Sequence, residues 1–234
     1  MTKRTTPRIS NRVRRFDVIT FDCYGTLIDW RSGIRDAFAV AAAEDGVEIG
    51  ADALLDAYNA LEPVVEHEFY RTYRDVLTET AMRAAGSLGW PIDYDRARFL
   101  AASLPSWRPF EDTNAALEQL VAVGHELAIL SNVDDDLIAA TRKHFTVDFA
   151  FVITAQQLQS YKPGLAHFLA ARDRVGDARW LHAAQSNFHD IVPTNDLGVP
   201  NAWINRLGER PLPEGEPTLE FPDMASFAEA MNSG

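Results

Sequence analysis

The 234-residue chain is long enough to bury one substantial core, and it carries 22 Lys and Arg against 34 Asp and Glu, for a formal charge of -12. That balance repels phosphate backbones and anionic lipid, which argues against nucleic acid and membranes as partners. One cysteine, Cys23, leaves no internal disulfide and no cysteine-based metal site. No apolar run reaches the length of a membrane span or a signal peptide, so a soluble, cytoplasmic protein is expected.

Residues 1–15 hold Lys3, Arg4, Arg8, Arg12, Arg14 and Arg15 with no acid among them, and read as a flexible basic tail. Phe16 to Phe21 then forms an apolar, strand-like run that stops at Asp22 and is followed at once by a Tyr-Gly-Thr turn. From about Ile34 to Leu104 the pattern is helical, over Ile34 to Ala43, Ala51 to Leu61 and Val64 to Leu88, with no convincing strand. Pro105 and Pro109 flank Trp107 where the pattern changes again.

Four more apolar runs follow: His125 to Leu130, Phe149 to Thr154, Trp180 to Ala184 and Ala202 to Ile204. Helical spacing separates them, over Thr113 to Val123, Leu137 to His144, Leu165 to Arg174 and Ile191 to Leu197. Gly124, Gly176 and Gly198 stand as C′ residues. Short buried strands alternating with helices predict an α/β fold on a parallel sheet covered on both faces. Arg210 to Pro222, with four prolines, reads as a surface loop before a last helix near Met224 to Met231.

In an open parallel sheet, ligands gather beyond the carboxyl ends of the strands. Asp22 follows the first strand, Ser131 and Asn132 the second, Tyr161 and Lys162 the third, and Asn187 and Asp190 the fourth. Singly, these are a turn cap, a loop start, a surface lysine and an N-cap. Together they converge on one crevice.

The segments "DCYGTL" from Asp22, "SN" at 131–132, "YKP" at 161–163 and "SNFHD" at 186–190 resemble the four ordered motifs of the haloacid dehalogenase superfamily. The resemblance runs from Asp22 to about Arg206. It implies a Rossmann-like parallel-sheet core over residues 16–30 and 109–234, with an inserted helical cap over residues 31–108. Phosphatases of that superfamily place a second Asp two residues after the nucleophile, where this chain has Tyr24, whose phenol, with a reference pKa of about 10, is poorly matched to acid catalysis near neutral pH. They also bind Mg²⁺ through paired acids in the fourth motif, where this chain has Ser186.

The pattern is closer to the L-2-haloacid dehalogenase (type II) branch, with its DxYGT and SNxxD motifs. That resemblance implies that Asp22 attacks the carbon bearing halogen and forms an aspartyl ester, and that Lys162 keeps Asp22 ionised. It further implies that Tyr24, Thr26, Ser131 and Asn132 hold the substrate, and that Asn187 and Asp190 position the hydrolytic water. No cofactor is expected on this reading, and weak Mg²⁺ binding only under the phosphatase alternative. The expected partner is a small carboxylate; a homodimer is left open.

The chain departs from the branch at several positions. The family's halide-binding arginine falls near Tyr58 and Asn59; the tyrosine expected after the lysine motif falls at Phe168; the aromatic before the last Asp is His189; and a serine is replaced by Gln185. Arg71 or Arg74 is the candidate for the missing cation, and His189 is balanced between packing and a polar contact in the site. Cys23 reads as a small buried side chain. A phosphatase, a hydrolase of another small carboxylate and an idle binding protein on the same scaffold are the competing readings.

Overall fold

The structure, a computed structural model, describes residues 16–232, so the expected basic tail lies outside the described residues. Six strands, β1 (Val18–Phe21), β2 (Glu126–Ser131), β3 (Phe151–Thr154), β4 (Trp180–Ala184), β5 (Asn201–Ile204) and β6 (Leu219–Phe221), form one parallel sheet in the order β3-β2-β1-β4-β5-β6. All four β1 residues are buried, as a central strand covered on both faces requires. The α/β class and its five anticipated strands are confirmed. The sixth, β6, lies in the proline-rich stretch read as a loop, and is three residues long and only half-buried.

Between β1 and β2 the chain forms α1 (Trp30–Glu44), α2 (Ala51–Glu68), α3 (Tyr73–Ser87), α4 (Tyr94–Ala97), α5 (Phe99–Ser103) and α6 (Thr113–Ala122). After β2 come α7 (Asp135–Thr141), α8 (Ala155–Leu158), α9 (Ala166–Val175), α10 (Val192–Asp196) and α11 (Met224–Asn232). No described helix is long and apolar enough to cross a membrane. The chain leaving β1 and the chain returning run side by side, with Asp29 N–H donating to Arg108 O at 2.9 Å and Phe110 N–H to Leu27 O at 3.1 Å. One continuous apolar cluster joins Ile19 and Phe21 of the sheet to Phe38, Leu54 and Val76 of the inserted helices, by way of Leu104 and Trp107. Full burial of each such large side chain contributes about 2 kcal/mol.

The helical insert differs from the sequence pattern at one junction. A break was expected at Pro63, yet α2 runs through it to Glu68, and the chain instead breaks over residues 69–72. The reason lies outside the insert. Asp134, in the loop after β2, accepts from the N–H groups of Tyr73 (2.8 Å) and Arg74 (2.9 Å), the unsatisfied donors of the first turn of α3. Tyr161 completes the latch by donating its hydroxyl to Arg71 O at 2.9 Å.

Candidate active site

Asp22 is the first residue past β1, and its N–H still donates to Ala183 O of β4 at 3.1 Å, so the ladder carries the carboxylate to the sheet's end before the chain turns. Gly25 then adopts φ +101°, and a Cβ there would lie 3.0 Å from the side chains of both Gln185 and Trp30. Only glycine suits both demands. The turn brings Thr26 back, and its hydroxyl donates to Asp22 Oδ2 at 2.9 Å while accepting from the Gln185 N–H at 2.8 Å. Thr26 is fully buried and does not line the cavity. The structure therefore corrects its expected substrate contact to a role in fixing the carboxylate.

Lys162 arrives from the loop after β3 and is 1% exposed. Its ammonium donates to Asp22 Oδ1 (2.9 Å), Asp190 Oδ1 (2.7 Å) and Leu130 O (3.1 Å), which uses all three of its protons. Asn132 fixes the Lys162 backbone from both sides, accepting from its N–H at 2.7 Å and donating to its carbonyl at 3.0 Å. Its amide is thus anchored to the loop, and Asn132 also lines the cavity.

Two carboxylates share one ammonium, and their titrations separate. Burial opposes ionised Asp190, but Lys162 and His182 outweigh it and hold the group well below its ordinary range. At Asp22 burial outweighs the pull of Lys162 and Thr26, and the pKa is raised. Burial also opposes the Lys162 ammonium, yet the two carboxylates raise its pKa above the usual lysine value.

Asp190 sits in the single π-turn Asn187–Ile191, whose start is capped by Ser186 accepting from the His189 N–H at 3.1 Å. Its Oδ2 is buried without a partner. Its Oδ1 is held by a chain of donors that runs back through the sheet. Oδ1 can only accept when ionised, and it takes a hydrogen bond from His182 Nε2 at 3.0 Å. Behind that ring, Thr20 Oγ1 lies 2.8 Å from His182 Nδ1 and accepts from Trp180 Nε1–H at 2.8 Å. The sequence reading passed over His182, although a histidine inside the apolar run Trp180 to Ala184 was the available signal. Replacing His182 by Phe is expected to lower kcat by about tenfold with little change in KM and to destabilise the fold by about 1–3 kcal/mol, whereas Gln, which keeps a donor, recovers most of kcat. Equal kcat in both variants would remove His182 from the account.

The remaining expected residues divide. Ser131 lines the cavity with a buried, unpartnered hydroxyl. Tyr24 lines it too, with its hydroxyl bonded to Thr141 at 2.8 Å and its pKa pushed well up by burial. His189 lines it and bonds Ser186 through Nδ1 at 3.0 Å, and burial lowers its pKa to about 4, so the ring is neutral at pH 7. Asn187 does not line it. Its amide donates to Gly215 O (2.8 Å) and accepts from Leu212 N–H (3.1 Å), which fixes the 212–215 loop.

Arg71 and Arg74 also lie away from the cavity. Docking of α3 on Asp134 turns Arg74 to Asp136 (2.6 Å), while Arg71 pairs with Glu68 (2.8 Å) and stacks over Phe69. The arginines at the cavity, of about 690 Å³, are Arg31, Arg35 and Arg206, and Tyr58 and Asn59 line it where the branch has its arginine. Cys23 is fully buried, and burial pushes its thiol well up.

A family model for haloacid dehalogenase-like hydrolases matches residues 16–184, nearly three-quarters of the chain. The chain belongs to that family. Curated relatives include an (S)-2-haloacid dehalogenase of Pseudomonas putida, 27% identical over 80% of this chain and 84% of that one, and (S)-2-haloacid dehalogenase 4A of Burkholderia cepacia, 29% identical over 84% and 86%. Among solved structures, an L-2-haloacid dehalogenase from Xanthobacter autotrophicus with chloropropionic acid covalently bound superposes with a TM-score of 0.80 at 19% identity, covering 92% of this chain and 97% of that one. The fold of these haloacid dehalogenase-like hydrolases is thus shared along almost the whole length of the chain.

Proposed function

We propose that this hydrolase forms an aspartyl ester on Asp22 and converts a small 2-haloacid to a 2-hydroxy acid and halide without a metal. The carrying observation is the Lys162 ammonium set between Asp22 and Asp190. The Asp22 carboxylate attacks C2 of the substrate, the carbon–halogen bond breaks with its electron pair leaving as halide, and C2 is inverted. Ser131, whose hydroxyl has no intramolecular partner, and backbone N–H groups of the same crevice orient the substrate carboxylate. Water then adds to the ester carbonyl of Asp22 and gives a proton to Asp190 Oδ2. As the tetrahedral intermediate collapses, the alkoxide takes that proton back and leaves as the 2-hydroxy acid, carrying an oxygen that came from Asp22, and the regenerated Asp22 carboxyl loses its proton to water.

The residues do not fit the Mg²⁺ site of a phosphatase. An ammonium already joins the two carboxylates, and Ser186 is uncharged with its hydroxyl bonded to His189. Among the described residues no three His, Cys, Asp or Glu side chains converge to hold a metal. Tyr24, its hydroxyl bonded to Thr141, is no proton donor for a leaving alcohol. Halide release from 2-chloro and 2-bromo acids should therefore be undiminished by EDTA, with no phosphate released from p-nitrophenyl phosphate. Phosphate release that needs Mg²⁺, with no halide from any acid, would overturn the reading.

A further inference from the structure

Helix α2 brings Tyr58, Glu62 and Glu66 to one face at i, i+4 and i+8, and all three line the cavity beside Asp22 and Lys162. Acids at such positions ordinarily meet water or a base. Glu66 is 7% exposed, and among the described residues neither carboxyl forms an ion pair or a side-chain hydrogen bond. None of the cavity's described cations pairs with either acid. Lys162 has spent its three protons, Arg206 pairs with Asp112 and donates to Thr26 O, Arg35 lies 3.8 Å from Asp52, and Arg31 lies over the Trp30 ring.

The walls around the two acids are aromatic. Trp30 and Tyr58 approach with ring centroids 6.2 Å apart, and Tyr73 of α3 lines the same space. Aromatic faces next to unpaired carboxyls form the environment that holds an ammonium, by charge and by cation–π attraction. An alkyl tail would gain nothing from the acids. Independently, the 1%-exposed Ser131 hydroxyl enters the cavity from the sheet side without a partner, so the space has polar groups awaiting a ligand from both walls. The cavity also has several times the room that a three-carbon acid needs.

We infer that the substrate's side chain ends in an ammonium group, held by Glu62 and Glu66 against the rings of Trp30 and Tyr58. This rests on the 2-haloacid reading of the core site. With the cavity open to water, burial raises Glu62 to about 7 and Glu66 well above the ordinary range. The other titratable groups facing the pair are Tyr58, Tyr73, Tyr161 and Lys162. Burial pushes the three phenols up, and Lys162 is held protonated, so these four do not titrate near neutral pH. A bound ammonium favours the ionised pair, so binding should release protons and weaken as pH falls below neutral.

The test is calorimetric titration of the wild-type chain with two unreactive 2-hydroxy acids of equal length, one ending in ammonium and one in methyl. The ammonium acid is expected to bind at least about tenfold tighter, with proton release seen as a buffer-dependent heat. In E62Q/E66Q that preference should fall below about threefold, and the variant should fold, since Gln matches Glu in size and the two acids have no partner among the described residues. Equal or tighter binding of the methyl acid, no binding of the ammonium acid, or a preference that survives in E62Q/E66Q overturns the inference. Halide release from the two 2-chloro counterparts separates the layers. Halide from the methyl acid alone sinks the ammonium site and leaves the dehalogenase reading standing. Preferential ammonium binding with no halide from either acid does the reverse.

Discussion

Asp22→Asn is expected to abolish measurable halide release, a loss of at least roughly 10⁴-fold, or about 5.5 kcal/mol on the barrier. The amide is nearly isosteric but has no charge with which to attack carbon. In the wild type Lys162 donates to Oδ1 and the Thr26 hydroxyl to Oδ2. The amide can keep its oxygen towards Lys162 but loses the charge that pairs with the ammonium, so a modest loss of stability should accompany the loss of activity. The ester route makes a second demand. In ¹⁸O water a single turnover should leave the product unlabelled and place label in the Asp22 carboxylate, which later turnovers pass to product. Label in first-turnover product, with Asp22 never labelled, would mean that water attacks C2 directly.

The sheet and the meeting of Asp22, Lys162 and Asp190 were legible in the sequence because each depends on local pattern. Four-residue apolar runs ending in Asp22 or Ser131 report burial on both faces, and strand ends in a parallel sheet share one side of the molecule. Strand β6 was hidden because an edge strand of three residues among prolines has too few side chains to show a period. The break between α2 and α3 was hidden for another reason. It is set by Asp134, some sixty residues away, whose carboxylate serves the helix start better than the local sequence resists it.

Side-chain roles were less legible than positions. Thr26, Asn132 and Asn187 carry the motifs, and in the folded chain each also bonds the protein, fixing Asp22, the Lys162 backbone and the 212–215 loop respectively. A motif records which residue types recur, not which of their atoms remain free. Conversely, His182 and the Glu62–Glu66 pair interrupt otherwise apolar patterns, and a polar residue at a position that periodicity assigns to the interior is the trace such groups leave.

Replacing Lys162 by Met tests whether the site is one shared charge or a set of separate contacts. Removing the ammonium leaves Asp22 and Asp190 buried with no counter-ion, and loss of one partner of such a group costs about 3–5 kcal/mol. Turnover should fall by at least about 10³-fold, because burial, no longer opposed, would hold the nucleophile protonated. The dependence on pH is the sharper part. In the wild type the lowered pKa of Asp190 contributes stability that is complete above the unfolded carboxylate value of about 4 and is lost only as pH falls through the still lower folded value. In the Met variant both carboxylates would be raised on folding. Their ionisation then penalises the folded state increasingly as pH rises from about 4 towards their folded values. Urea unfolding of the two proteins should therefore show a stability gap that is widest near pH 7 and narrows steadily towards pH 4. A gap of constant size across that range would mean that Lys162 supports the fold through packing, and that the two carboxylates do not depend on its charge.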